Sequence, residues 1–508
     1  MFRYHILAFF SGAAVLVLEV LGARVIAPYL GTAFFVWVNV IGVILASLSI
    51  GYWLGGVLAD KNDRLLPWIF LAAAILVTIV IPERALLPYF GALGIQIGSL
   101  VAAVFLFAPT SVVLGMVSPY LIKLAARDLA HLGKTSGSIF AVSTVGSITG
   151  TFTTGFWLIP AFTMPQLFWG LAGSLALLAV LAVPSVKRAA GMAAIAFALA
   201  LGIQTLPQAA LQSERIVFEK NSPYYNIRIH DAVTAGGAGV RTLLLDGSTQ
   251  SAKFLQEPPT DADGTTNGNN RRLFPFLYIE LSAELISAIK PRPQNMLVIG
   301  GGGYSIPEYV KARSPDTGVT VVEIDPDVTE AARRFFLRDP SMDITTIAED
   351  GRTFLNRNTE MYEVIYTDAY SGAYTVPGHL ASREAFQRIY ETLADDGVLI
   401  VNIASALEGE HAKLFKALSG TLDSVFPHRA TFAVRIETPN TPQNIIVALV
   451  KHPGALNETA LEAFSSLRYT KTPDSAGIAL LTDDFAPTDH LVESLVAEVY
   501  PRLRAYHR

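Results

Sequence analysis

The sequence predicts a chain in two parts. An α-helical transmembrane bundle of about seven spans comes first, followed by a doubly wound α/β domain with a small β lobe ahead of it. Three observations predict this. Apolar residues make up 51% of the 508 residues and charged residues only 16%, against roughly 25% charged in an ordinary soluble domain; the deficit is concentrated in residues 1–210. From Gln294 onward, apolar strands alternate with helical segments, the pattern of a mainly parallel sheet covered on both faces. Between the first two strands, Met296–Ile299 and Val319–Val322, stand four consecutive glycines, Gly300 to Gly303, and the second strand ends in Glu323.

The apolar runs lie near 4–28, 35–59, 66–82, 93–119, 136–160, 163–183 and 189–206, and a bilayer requires about 20 residues per helix. The first run is too long for a signal peptide and lacks a small-residue cleavage site. Lys61 and Arg64 follow the second run, Lys123, Arg127 and Lys134 the fourth, and Lys187 and Arg188 the sixth, whereas the opposite loops hold only Arg84. The positive-inside tendency then puts the N-terminus and the even-numbered connections in the cytoplasm of a bacterial-type inner membrane. Seven spans would place the following domain outside. If 189–206 does not cross, the domain faces the cytoplasm, which is the placement expected here. Within the runs, Glu19 and Arg24 are the unusual ionisable groups. They mark either a transport path or, more economically, a structural pair with Arg24 reaching towards an interface. Gly51 and Gly55, and Gly146 and Gly150, stand at the small-xxx-small spacing that lets helices pack closely.

The expected division is 1–206 transmembrane, 207–213 linker, 214–272 β-rich lobe with a mobile loop, and 273–508 α/β domain. In the lobe, 214–232 and 240–246 read as two strands joined through Gly236–Gly239, and 256–272 reads as the loop. An amphipathic helix at 273–289 follows. Strands at 295–300, 318–323, 343–347, 362–367 and 397–402 then alternate with helices at 305–313, 326–337, 351–356, 382–394 and 407–425, a Rossmann-like order. In such sheets ligands bind outside the carboxyl ends of the strands. Glycines there bring the backbone close to a nucleoside, and an acid at the next strand tip binds ribose hydroxyls. Asp350, in AEDGR, and Asp368, in YTDAYSG, stand at two further strand ends. A lone strand-end acid commonly caps the next helix, as Asp325 and Asp327 are expected to do; Glu323, Asp350 and Asp368 together, beside a glycine turn, point to a site. With no cysteine, disulfides, thiolate metal sites and a Cys nucleophile are excluded. The histidines show no metal-ligand spacing, so no metal is expected, and a net charge of −5 gives no support for a nucleic-acid partner.

The ordered motifs VIGGGG, VVEID, AEDGR, YTDAYSG and GVLIVN, preceded by TLLLDGSTQ and FLYIEL, resemble the spermidine synthase (polyamine aminopropyltransferase) family over residues 214–490. The whole chain, with its closing LLTDDFAPTDHL, is similar to membrane-fused spermidine synthase-like proteins, whose N-terminal helices resemble part of a major facilitator transporter. The resemblance implies a membrane-anchored transferase, of the S-adenosylmethionine-dependent type, that uses decarboxylated S-adenosylmethionine or S-adenosylmethionine as co-substrate. Glu323 would bind the ribose hydroxyls and Asp350, with Gly351, the adenine amino group; Gly300, Gly301, Gly302 and Gly303 would line the methionine-derived part, with Tyr225 at the lobe side. Asp368 would be the catalytic acid that takes or steers the acceptor's amine proton, with Tyr278, Tyr370 and Ser371 at the acceptor. Asp246 matches a motif at the lobe junction and could equally be structural, and Tyr224 and Tyr225, where the family's lobe touches the co-substrate, could equally be core. His379 reads as a structural or helix-entry residue, and Asp483 and Asp484 as capping or solvated ones.

Two departures stand out. Polyamine-making members carry an acid directly after the glycine run (GGGDG), where this chain has Gly303, and a second acid after the catalytic one (DSSD or DSTD), where it has Ser371. The first would hold the amine of the decarboxylated co-substrate and the second the diamine, so methyl transfer or other chemistry of intact S-adenosylmethionine is the rival reaction. From another class, the domain could be a non-catalytic nucleoside or polyamine sensor, or part of a transporter. The expected partners are a small-molecule amine acceptor and the lipid bilayer, with a homodimer allowed and no nucleic acid.

Overall fold

The computed structural model describes all residues except 31–33, 82–86, 88, 91–92, 94, 127–130, 184–214, 235–236, 257–273, 373, 474–477, 497 and 499–508. The chain forms two compact units, Met1–Gln212 with Lys220–Tyr224, and Ser213–Glu219 with Tyr225–Arg508.

The first unit is helical: Phe2–Leu30, Phe34–Lys61, Leu66–Leu76, Ile95–Gly115, Val117–Ala125, Leu132–Thr153 and Met164–Leu181. Among the described residues, four stretches are long and apolar enough to cross a membrane: Phe2–Ala27, Phe35–Lys61, Gln96–Ala125 and Met164–Leu181; Leu66–Val80 is a shorter apolar helix. Four of the about seven expected spans are thus matched on length and composition among the described residues. The run read at 136–160 falls on the Leu132–Thr153 helix, whose Ser, Thr and Gly content keeps it outside those four. The run at 189–206, the linker at 207–213 and nearly all of the loop at 256–272 lie outside the described residues. The small-residue spacing does mark tight packing. A Cβ on Gly51 would stand 2.2 Å from the Val112 carbonyl oxygen, and one on Gly146 would stand 1.9 Å from that of Phe9. The Arg24 guanidinium donates to the backbone carbonyls of Ser222 and Tyr224, the latter at 2.6 Å, which favours its structural reading.

In the second unit the lobe holds four strands, not two: β1 (Arg215–Asn221), β2 (Asn226–Val233), β3 (Gly239–Leu245) and β4 (Ser248–Phe254), in that spatial order. The stretch read as one strand over 214–232 is broken at Ser222–Tyr225. The second missed strand follows a tight turn in which Asp246 (φ 48°) and Gly247 (φ 73°) are both left-handed. Asp-Gly between apolar runs is the signal of a two-residue hairpin with that backbone.

The main sheet comprises β5 (Asn295–Ile299), β6 (Gly318–Glu323), β7 (Thr345–Ala348), β8 (Tyr362–Thr367), β9 (Leu393–Ser405), β10 (His428–Ala433), β11 (Gln443–Val450) and β12 (Arg468–Tyr469), in the order β12-β10-β11-β9-β8-β5-β6-β7. β7, β6, β5, β8 and β9 run parallel, and β11, β10 and β12 extend the sheet antiparallel. This is a Rossmann-type sheet with an antiparallel flank that the strand pattern had not assigned. Alternate residues of β5 enter different layers. Met296 and Val298 pack into one core, with the Leu277–Ile289 helix, while Leu297 and Ile299 pack into the other, with Phe386 and Leu414. Burial on both faces explains why the strand reads as an unbroken apolar run. The helix expected over 407–425 is confined to Lys413–Asp423, because Gly409 takes φ 80° and the Pro439 carbonyl captures the amides of Leu407 and Glu408. The chain leaves β5 for β6 on one side and reaches β8 on the other, so the sheet's switch point lies between the ends of β5 and β8.

Candidate active site

A cavity of about 270 Å³ opens at that switch point, lined by Gly300–Gly303, Glu323, Asp350, Gly351, Asp368, Tyr370, Ser371, Tyr278 and Tyr225. All residues singled out for the site from the sequence thus face one cavity. Tyr225 lines it, whereas neighbouring Tyr224 is 43% exposed. Gly300 takes φ 90°, and a Cβ there would stand 2.7 Å from the Asp368 carbonyl oxygen. Only glycine lets the exits of β5 and β8 come this close.

Glu323 ends β6 and is buried. Its Oε2 accepts from the Gly301 amide at 2.9 Å and its Oε1 from the Asp325 amide at 3.1 Å. Burial raises its pKa above the usual carboxylate range, against the opposing pull of those amides. The carboxylate therefore braces the glycine turn and also faces the cavity. Asp325, as expected, caps the following helix by accepting from the Asp327 amide.

Asp350 is both cap and cavity wall. Its Oδ1 accepts from the Thr353 amide at 2.9 Å, and its Oδ2 lies 2.8 Å from His379 Nε2. Burial would raise its pKa, but the Thr353 amide and His379 outweigh it and hold the carboxyl below its ordinary value. His379 stands in the short Gly378–Ala381 helix and also lines the cavity.

Asp368 follows β8. Its Oδ1 accepts from Asn402 Nδ2 at 2.8 Å and its Oδ2 from the Tyr366 hydroxyl at 3.1 Å, and Tyr278 also hydrogen-bonds it. Burial pushes its pKa up to about 6, a shift that these three donors limit. The phenols of Tyr278 and Tyr366 are held well above the usual tyrosine range by burial and by the Asp368 charge, so they stay protonated and donate. Tyr370 spans to β9, donating to the Asn402 carbonyl at 2.9 Å and accepting from the Ala404 amide at 2.8 Å. Ser371 sits in a turn, with its hydroxyl donating to the Thr375 carbonyl at 3.3 Å.

Tyr366, Asn402 and Ser251 are the site residues that the sequence reading passed over. Asn402 was visible as the polar end of GVLIVN, and Tyr366 as an inward position of VIYTD. Ser251 could not be found, because only the lobe's second hairpin brings it to the glycine turn. A carboxylate whose proton leaves near pH 6 has a testable signature. If Asp368 takes the acceptor's proton, it works only when ionised, so the slope of log kcat/KM against pH is expected to be steeper by about one below a break near pH 6 than above it. An acidic limb near pH 4 would contradict this. Among the described residues no group of three His, Asp or Glu side chains is placed to hold a metal ion.

A family model for the spermine/spermidine synthase domain matches residues 275–459. A polyamine aminopropyltransferase of Vibrio vulnificus is 29% identical over 239 residues, 44% of this chain and 77% of that protein. A probable polyamine aminopropyl transferase of Bifidobacterium longum is 30% identical over 243 residues, 42% of this chain and 52% of that protein. Among solved structures, a probable spermidine synthase from Corynebacterium glutamicum aligns with a TM-score of 0.41 and 17% identity, covering 51% of this chain and 93% of that one. The chain is a transferase enzyme whose catalytic part is a Rossmann-type α/β domain. Within that class, residues 275–459 are similar to the spermine/spermidine synthase domain.

Proposed function

We propose that this chain is a membrane-anchored transferase that binds an adenosine sulfonium, decarboxylated S-adenosylmethionine or S-adenosylmethionine, and moves an alkyl group, nominally aminopropyl, onto an amine. The observation that carries this reading is the convergence of Glu323, Asp350 and Asp368 with the glycine turn on one cavity, inside a stretch that matches the spermine/spermidine synthase model. In this reading Glu323 holds the ribose hydroxyls and Asp350 the adenine amino group, while Gly300–Gly303 back the methionine-derived chain. Tyr278, Tyr370 and Ser371 flank the acceptor. Asp368 accepts the proton of the attacking amine. A sulfonium is already a good leaving group, so the domain has to align a neutral amine with the carbon, take its proton and exclude water. Anchoring in a bacterial-type inner membrane, a cytoplasmic active site and a homodimeric assembly belong to the same proposal. So does the likeness of the helices to part of a major facilitator transporter. A reporter fused at the C-terminus tests the side.

One observation favours the rival use of intact S-adenosylmethionine. A Cβ on Gly303 would stand 2.3 Å from Ser251 Oγ, so no acid can occupy this position without displacing β4. The Ser251 and Ser305 hydroxyls, 3.3 Å apart, line the cavity here instead. Neutral hydrogen-bonding groups leave an ammonium without a charge partner and leave room for a carboxylate. Incubating the purified chain with each co-substrate, with and without diamines, separates the two readings by mass spectrometry. Methylthioadenosine is the expected product of aminopropyl or related alkyl transfer, and S-adenosylhomocysteine that of methyl transfer. Neither product under any combination would overturn both.

A further inference from the structure

The segment Leu481–Leu491, which carries the Asp483–Asp484 pair, lies against the rim of the cavity beside Asp350. Arg352, two residues after Asp350, gathers this rim with one guanidinium. Its Nη2 donates to Asp483 Oδ2 at 2.7 Å, and its Nη1 reaches Asp483 Oδ1 at 3.1 Å, Ser382 Oγ at 3.1 Å and the His379 carbonyl at 3.2 Å. Ser382 Oγ in turn donates to Asp483 Oδ1 at 2.5 Å. The far side of the clamp is fixed. The Asp483 amide donates to Glu384 at 3.0 Å, the Arg383 amide to the Leu481 carbonyl at 2.8 Å, and Leu481 is buried with its amide on Thr421 Oγ1 at 3.0 Å. Gly378, next to His379, packs so closely on this segment that a Cβ would stand 2.9 Å from the Ala486 carbonyl oxygen.

The connection runs directly to the site. The backbone of His379 is held by Arg352, and its ring lies 2.8 Å from Asp350 Oδ2, while Oδ1 is occupied by the Thr353 amide. The Thr353 amide and hydroxyl on Oδ1, the latter at 3.3 Å, and the His379 ring on Oδ2 therefore orient the Asp350 carboxylate. An ion pair with Asp483 45% exposed adds little to stability. Its bidentate geometry instead fixes direction.

We propose that Asp483 is a positioning residue for nucleobase recognition: through Arg352 and Ser382 it sets the backbone that carries His379, and so the aim of Asp350 at the exocyclic amine of the base. This rests on the reading of Asp350 as the acceptor of that amine. The effect is on discrimination between bases more than on the chemical step, and Asp483 touches no reacting atom.

Calorimetry on the full-length chain in detergent tests it, with 5′-methylthioadenosine and 5′-methylthioinosine as probes, because the second replaces the donating amine by an accepting carbonyl. The wild type is expected to prefer the adenine compound. Asp483→Asn is expected to shrink that preference about three- to tenfold, Arg352→Lys to do the same, and Asp483→Glu to keep most of it. A merely structural role would lower the melting temperature and leave the ratio unchanged; that result, with Asp483→Asn showing the wild-type ratio, overturns the proposal. Asp350→Asn separates the two layers. If it abolishes the preference while Asp483→Asn does not, only the positioning role falls. If it too keeps the wild-type ratio, the reading of Asp350 falls and the proposal with it.

Discussion

Asp368→Asn is expected to lower turnover by about 10²- to 10⁴-fold, the range typical of losing a general base, while methylthioadenosine affinity stays within about threefold. The isosteric amide keeps the volume and can still accept from Asn402, whose Nδ2 lies 2.8 Å from Oδ1. Its new donor meets the Tyr366 hydroxyl, which rotates to accept. The fold is therefore preserved, and what is lost is the site's ability to take a proton. Single-turnover kinetics with binding measured separately distinguish this from a binding defect. Unchanged function in the variant would favour a sensor or transporter, because neither needs the proton accepted.

Glu323→Ala is expected to weaken nucleoside binding by about 100-fold or more, since charge-assisted bonds to two ribose hydroxyls are worth about 1.5–3 kcal/mol each. The same change strips the acceptor from the buried amides of Gly301 and Asp325, at a cost of about 1–3 kcal/mol for each left unsatisfied. Glu323→Gln controls for this, because its oxygen can still serve one of them. The affinity loss in the Gln variant, read by calorimetry with methylthioadenosine, should exceed what its melting temperature accounts for. Equal affinity in wild type and the Ala variant would remove Glu323 from the site.

The sequence carried the α/β half of this arrangement because its signals are local. An apolar strand followed by glycines, and acids at strand tips, can be read within windows of a few residues, and β5, β6 and β8 fell where the pattern put them. What escaped depends on distant partners. β10–β12 join the sheet only through distant pairings, β11 on β9, β10 on β11 and β12 on β10. Asn402 becomes a site residue only because β9 lies beside β8. Ser251 reaches Gly303 only after a hairpin whose Asp246–Gly247 signal went unread. In the helical half, hydropathy located four runs that are helices of membrane length among the described residues, whereas Leu132–Thr153 is long but too rich in Ser, Thr and Gly to join them.

The order of the main sheet has a consequence for how the cavity comes into being. Gly300, Glu323, Asp350, Asp368 and Asn402 each sit at or after a different strand, and the strand before Gly300 is central, with β6 on one side and β8 on the other. No fragment of this chain that lacks one of these pairings holds a complete site, so no local precursor presents it before the five parallel strands β5–β9 have paired. Because closing such long loops is entropically costly and slow, a nucleoside meets either a finished cavity or none. Ligand at one hundred times its dissociation constant would then stabilise the five strands that carry the site by about 2.7 kcal/mol, guarding β7 and β9 as firmly as the turn that it touches.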